Sequence, residues 1–318
     1  MTLVSIITPS FNQAAFLEEC IQSVLGQDYA PLEYLVVDGG STDGSVDIIR
    51  RYSDRLAWWV SESDAGQADA INKGLQRAKG EIVAWLNSDD YYLPGAIAQA
   101  VAALQRYPEA GLVFGDAITI DPRGRQLNQL QFGDWGLEEL MGFRIICQPA
   151  VFMRRDALVR AGYLDLNYHY LLDHHLWIRI ACLAPIRHVP QTWAAARHHA
   201  GAKNVAQAER FSQEALRLLA WMGAKPDLTT HMAARRRIIE AGAYRLSARY
   251  LLDGDKPGPA LLAYGRALIR NPRFALQHWH RMIYAAASLV GGKSLANLYY
   301  RYKKPSPRPN VPPLKENG

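Results

Sequence analysis

The chain has 318 residues, of which 49% are hydrophobic and 21% charged, enough for one large globular domain or two modest ones and too apolar for a chain disordered throughout. Its three widely spaced cysteines, Cys20, Cys147 and Cys182, exclude a disulfide frame or a zinc cluster and read as small buried apolar residues in a reducing cytosol. The net charge of +6 is uneven: residues 1–230 hold 20 Lys+Arg against 26 Asp+Glu, and residues 231–318 hold 16 against 4, so an acidic body carries a basic C-terminal part suited to an anionic surface.

The first element is "LVSIITP" (3–9), a β-branched run stopped by Pro9 that reads as a buried strand. Residues 14–27 carry apolar residues at helical spacing before Gly26. A second strand, "LEYLVVDGG" (32–40), ends in a glycine turn, and a helix follows over 42–53. Residues 56–62 predict a third strand, 66–80 an amphipathic helix, "EIVAWL" (81–86) a fourth strand, and 93–108 a helix with Pro94 near its start. This βα alternation predicts an α/β fold, a mostly parallel sheet flanked by helices. Beyond it, 110–121 and the start of 146–165 read as strand, 136–143 and 170–185 as helix, and 186–201 as extended chain running into a loop. Residues 205–222 and 231–302 read as mostly helical, and the Pro-rich stretch 303–318 as disordered. The N-terminus has no basic region leading into a long apolar one, so no signal peptide is expected, and no apolar run is long enough to predict a membrane-spanning helix.

In a parallel sheet of this kind, ligands bind beyond the carboxyl ends of the strands. Asp38 follows the second strand, and "WLNSDDYY" sets Asp89 and Asp90 side by side after the fourth. Adjacent carboxylates at the end of a buried strand repel, and burial raises the cost, so a positive partner is expected there.

Six segments, "SIITPSFNQAAFLEECIQSVLGQ", "VVDGGSTDGSVDII", "SDAGQADAINKGLQRAKGEIVAWLNSDD", "CQPAVFMRR", "LLDHHLWIRIA" and "RHHAGAK", resemble in order and spacing the family 2 glycosyltransferases of GT-A fold. The likeness spans about residues 1–205, which it implies is the catalytic domain; 206–302 would form a mostly helical C-terminal region. It implies transfer of a sugar from a nucleotide-diphosphate donor to a glycan or lipid-linked acceptor, in surface polysaccharide or glycolipid assembly. A diphosphate and carboxylates need a cation between them, so Mg²⁺ or Mn²⁺ is the implied cofactor.

By that resemblance Asp89 and Asp90 are metal ligands with His199 as a third, and Asn87 stands where relatives have the first acid of the motif. Pro9, Phe11, Asp38, Asp69, Lys73, Asn87, Arg197 and Lys203 would serve the donor: Phe11 as a stacking face, Asp38 on base or ribose, Arg197 and Lys203 as diphosphate clamps. Many relatives have a second acid where this chain has Gly39. Asp173 would be the catalytic base of a single, inverting displacement, with Gln148 and His174 on the acceptor side, although Leu172 and His175 replace common acids. Burial and His174 would set the pKa of Asp173.

Plainer readings exist residue by residue. Asp89 and Asp90 could cap the helix near Pro94, Asp38 could be a turn residue, Asp69 a first-turn acid and Asp173 an N-cap. Residues 273–302 mix aromatic, aliphatic and basic side chains, a composition suited either to the inner face of an anionic plasma membrane or to a packed helical subdomain. A nucleotidyltransferase or an idle binding protein are the rival classes; no nucleic-acid partner is expected.

Overall fold

The computed structural model describes residues 1–199, 201 and 207–289. The Pro-rich stretch 303–318 and Lys203 lie outside the described residues. Nine strands form one sheet in the order β3-β2-β1-β4-β8-β6-β9-β5, with β7 paired to β6. Its first half is parallel: β1 (Val4–Ser10) lies between β2 (Leu32–Asp38) and β4 (Ile82–Trp85), and β3 (Trp58–Ser61) flanks β2. Helices α1 (Ala14–Leu25), α2 (Ser45–Arg51) and α3 (Gln67–Arg77) make the crossovers. The second half is mixed. β8 (Val151–Arg154) runs antiparallel to both β4 and β6 (Leu112–Ile120), and β9 (Ile186–Arg197) is parallel to β6.

The central strands are buried on both faces, and their side chains alternate between two cores. Ile7, Leu35, Val37, Val83 and Trp85 face one apolar cluster; Ile6, Tyr34, Val36, Ile82 and Ala84 face the other. The first cluster also takes in α7 (Leu172–Leu183), where Trp177 stacks on Trp85 at 5.1 Å. Phe211, Leu218, Met222, Ile239 and Leu246, from the helices Ala208–Ala224 and Thr229–Asp253, extend that same cluster. Gly242 lets this last helix approach Gly142: a Cβ at 242 would stand 2.2 Å from the Gly142 carbonyl oxygen.

Two local expectations differ. The stretch 93–108 begins its helix later, as α4 (Ala96–Arg106), because Tyr91 and Tyr92 form the short strand β5 against Ala195 and Ala194 of β9. That partner lies about a hundred residues away, beyond the reach of any local pattern. β7 (Gln126–Leu130) has no apolar alternation and takes its strand geometry from pairing with β6. Of the cysteines, all free, Cys20 is buried, Cys147 partly so, and Cys182 exposed.

Candidate active site

The carboxyl ends of β2 and β3 are laced together by one buried carboxylate. Asp38 Oδ2 accepts from the backbone N–H of Gly40 and Ser41 and from Ser61 Oγ, and Oδ1 accepts from Ser41 Oγ. Asp38 is fully buried, so it shapes the loop and is not open to a ligand in this conformation. Pro9 is likewise buried inside β1, opposite Val37. Phe11, by contrast, is 59% exposed. Its ring and the Asp64 carboxylate close over Gly39: a Cβ there would lie 2.5 Å from Asp64 Oδ2 and 3.3 Å from the Phe11 ring. No acidic side chain fits at 39, and Asp64 brings a carboxylate to that place from the loop before α3. Sequence reasoning passed over Asp64 because an acid in "SESDAG" looks like an ordinary turn residue.

At the end of β4, Asp89 and Asp90 point different ways. Asp90 is 7% exposed; its Oδ1 accepts the Arg197 backbone N–H at 2.8 Å and its Oδ2 lies 3.4 Å from Asn87 Nδ2. Burial, then the neighbouring Asp89 charge, push its pKa well above the usual carboxylate range. Asp89 is more open, with Oδ2 at 3.0 Å from His199 Nε2. Neither caps a helix, for α4 begins on Gly95 with no side-chain cap. Among the described residues, no three His, Cys, Asp or Glu side chains are arranged to hold a metal. The donor set nonetheless fits a hard dication bound jointly with a diphosphate, since Mg²⁺ and Mn²⁺ take one or two carboxylates plus substrate oxygens. For Asp90, burial and the Asp89 charge outweigh the one cation beside it, Arg197.

Arg197 occupies a place other than the expected diphosphate clamp. It is 5% exposed, with Nε on the Asp89 carbonyl oxygen, Nη1 on the carbonyls of Asp121 and Pro122, and Nη2 on Glu19. It also lies 4.8 Å from the Phe16 ring centroid. The guanidinium therefore pins the Asp89–Asp90 turn from behind. Lys73 is tied to Glu62 at 3.0 Å and Asp69 at 3.4 Å, and Asp69 accepts the Ala65 backbone N–H, the plainer reading of a first-turn acid. Asn87 sits in a chain of amides: Gln67 donates to its Oδ1, and it donates to Gln148 Oε1, while Gln148 Nε2 donates to the Trp85 carbonyl. Gln148 thus braces the end of β4.

Asp173 opens α7 without capping it; the N-cap is Leu171, with no side-chain cap bond. Burial raises the Asp173 pKa to about 6, opposed by the His174 backbone N–H at 2.7 Å and reinforced by the Glu214 charge. His174 acts through that N–H. Its ring is buried, bonded through Nε2 to the Leu140 carbonyl at 2.9 Å, and held neutral with a pKa near 4 by burial. It offers no surface to an acceptor. Cys147 ties the two acidic centres together: beyond burial, the charges of both Asp90 and Asp173 raise its thiol pKa. Helix α7, which carries Asp173, packs on the end of β4 through Trp177 against Trp85, and Gln148 bonds to the carbonyl of that same Trp85.

Carboxylates thus gather at the ends of β2 and β4, and a further buried acid, Asp173, stands at the start of α7. The family model Glycosyl transferase family 2 matches residues 5–159. A PGL/p-HBAD biosynthesis glycosyltransferase of Mycobacterium bovis is 33% identical over 181 residues, covering 56% of this chain and 69% of the relative. The O-antigen biosynthesis protein RfbC of Myxococcus xanthus is 28% identical over 206 residues, 63% of this chain and 16% of that one. The S. aureus TarS 1-349 structure in complex with UDP-GlcNAc superimposes with a TM-score of 0.60 at 18% identity, over 95% of this chain and 92% of that one. The mannosyltransferase PcManGT of Pyrobaculum calidifontis, in complex with GDP-Man and Mn2+, does so at 0.57 and 24%, over 91% and 86%. The chain belongs to glycosyl transferase family 2 and is a glycosyltransferase.

Proposed function

We propose that this enzyme moves a sugar from a nucleoside-diphosphate donor to an acceptor hydroxyl with inversion at the anomeric carbon, aided by Mg²⁺ or Mn²⁺. The observation that carries this reading is Asp89 beside His199 at the end of β4, with the helix that bears the buried Asp173 packed on that strand through Trp177 and Trp85. Asp89 and His199 would hold the cation with the donor diphosphate, and Asp90 would orient the turn. When bound, the cation would neutralise charge on the departing diphosphate. Phe11 would stack on the base, and Asp64, beside Gly39, would supply the acid missing at that turn. Asp173 would take the proton of the acceptor hydroxyl as it attacks. Its pKa near 6 leaves it ionised, and therefore basic, at neutral pH.

The relatives named for PGL and O-antigen biosynthesis support a glycolipid or polysaccharide acceptor. No helix among the described residues is long and apolar enough to cross a membrane. Association with an anionic membrane surface is supported by Leu262, Ile269, Leu276, Trp279 and Ile283, which are 52–83% exposed on the C-terminal helices. The test is a panel of nucleotide sugars, including UDP-N-acetylglucosamine and GDP-mannose, measured by calorimetry with Mn²⁺ and with a chelator. At least one should bind only when Mn²⁺ is present. Binding by none, or binding indifferent to Mn²⁺, overturns the reading.

A further inference from the structure

The loop before α7 carries three backbone N–H groups that a single distant carboxylate satisfies. Glu214, on the helix Ala208–Ala224, accepts from His169 N–H through Oε1 at 2.7 Å. Its Oε2 accepts from Tyr170 N–H and Leu171 N–H, each at 2.8 Å. Glu214 is 7% exposed, and burying an ionised carboxylate is tolerated only when several donors meet it. The helix carrying it is fixed in turn: Ser212 Oγ meets Ser247 Oγ at 2.6 Å, and Phe211 lies between Tyr170 and Tyr250, at 5.0 and 4.4 Å. Arg217 adds a bond to the Asn167 carbonyl. Leu171, the N-cap of α7, makes no side-chain cap, and Glu214 holds its N–H and the two before it, fixing the chain where it enters the helix.

We propose that Glu214 is a positioning residue for Asp173: it locks the chain at 169–171 and thereby sets the place of the base, two residues on, through the C-terminal helices. The inference rests on the reading of Asp173 as the base. It also goes beyond the family match, which ends at residue 159. The Glu214 charge keeps a proton on Asp173 to higher pH than burial alone would. Cys147 and Tyr250, the latter from the helix Thr229–Asp253, also feel the Asp173 charge, and the adjacent His174 ring is held neutral by burial.

Glu214→Gln keeps the size, removes the charge, and turns an NH₂ group toward N–H donors. The experiment follows the Asp173 carboxyl by ¹³C NMR across pH, its signal assigned by loss in Asp173→Asn, together with hydrogen exchange at 169–171 and kcat for the donor the panel selects. In Glu214→Gln the Asp173 titration should move to lower pH and exchange at 169–171 should speed up. Its kcat should fall on the order of 100-fold at an unchanged donor KM, as expected when a catalytic group is misplaced by about an ångström. Glu214→Asp keeps the charge on a shorter arm, so its titration should stay near the wild-type midpoint, with exchange faster and kcat down roughly 10-fold. An unmoved titration in Glu214→Gln with protection intact overturns the proposal. Should that variant fail to fold, wild-type exchange and kcat in Glu214→Asp overturn it as well. Full transfer by Asp173→Asn instead sinks the base assignment, and leaves the hold of Glu214 on the loop to be read from exchange alone.

Discussion

On the donor side of the site, Asp38 finds Ser41 three residues away and Asp90 turns on Asn87, also three away. On the base side, Asp173 depends on a loop held by Glu214, which lies 43 to 45 residues beyond the N–H groups it accepts. Both sides bury a carboxylate beside the chemistry. The proposed donor side draws only partly on its own turns, for Asp38 also takes Ser61 and Asp90 the Arg197 N–H; the loop on the base side takes all three bonds from one other helix. Short-range bonds leave motifs in the sequence, and long-range ones would make the proposed base, Asp173, sensitive to distant packing.

The sharpest way to break this contrast is at the two acids themselves. Asp173→Asn should retain donor binding and lose transfer by about 10²- to 10⁴-fold, the worth of a positioned general base. The same variant should be more stable than wild type at neutral pH. Burial lifts the Asp173 pKa from 3.8 to about 6, so folding favours the protonated form. The associated stability is present at low pH and is lost as pH rises through about 6. An uncharged Asn should recover up to about 2–3 kcal/mol above that pH and little below pH 4, read as the pH dependence of Tm. Asp89→Ala should act in the opposite sector: Mn²⁺-dependent nucleotide affinity should drop on the order of 100-fold while the Asp173 titration stays in place. A variant that disturbed both would show the two sides to be one cooperative unit.

Legibility in the sequence divides along the same line. Of the four parallel strands, β1, β2 and β4 could be read because each carries a buried apolar run, and β3 by its successive tryptophans and valine though it is only partly buried; Asp89–Asp90 stood out as charge at the end of such a run. Strand β5 could not, since two tyrosines become a strand only by meeting Ala194 and Ala195. Arg197 was assigned to a ligand because a cation near two aspartates invites it; nothing local shows that Glu19, 178 residues earlier, takes its charge. Glu214 did leave a trace. Phe211, Glu214, Ala215 and Leu218 fall at helical spacing on one buried face, so a charge occupies a position where the pattern asks for an apolar residue.

Arg197 offers the next smaller effect. Truncating it in Arg197→Ala removes four hydrogen-bonded oxygens' partner and leaves Asp90 with less positive charge nearby, so a loss of about 3–5 kcal/mol is expected in urea unfolding. Arg197→Lys keeps the charge but cannot span Asp89, Asp121, Pro122 and Glu19 together, and should recover only part of it. If the role were a diphosphate clamp instead, the variants would unfold like wild type and weaken nucleotide binding alone.

The smallest expected effect lies farthest from the chemistry. Residues 231–318 carry 16 Lys+Arg against 4 Asp+Glu, and the helices Pro257–Arg270 and Trp279–Leu289, packed on one another, leave Ile269 83% and Trp279 53% exposed. Apolar side chains beside basic ones gain twice at an anionic lipid surface: from burial in the headgroup boundary and from charge attraction worth about 1 kcal/mol per cation. The double variant Ile269→Asp with Trp279→Asp should weaken co-sedimentation with phosphatidylglycerol vesicles roughly 10-fold, and binding by the wild type should fall as salt rises. Phosphatidylcholine vesicles should retain little of either protein. Equal binding to both lipids, or none to the anionic one, would assign these exposed side chains to another partner. Solution activity should stay at the wild-type level in this variant, because neither residue is bonded to Asp89 or Asp173; a loss there would mean that the C-terminal helices and the loop held by Glu214 move together.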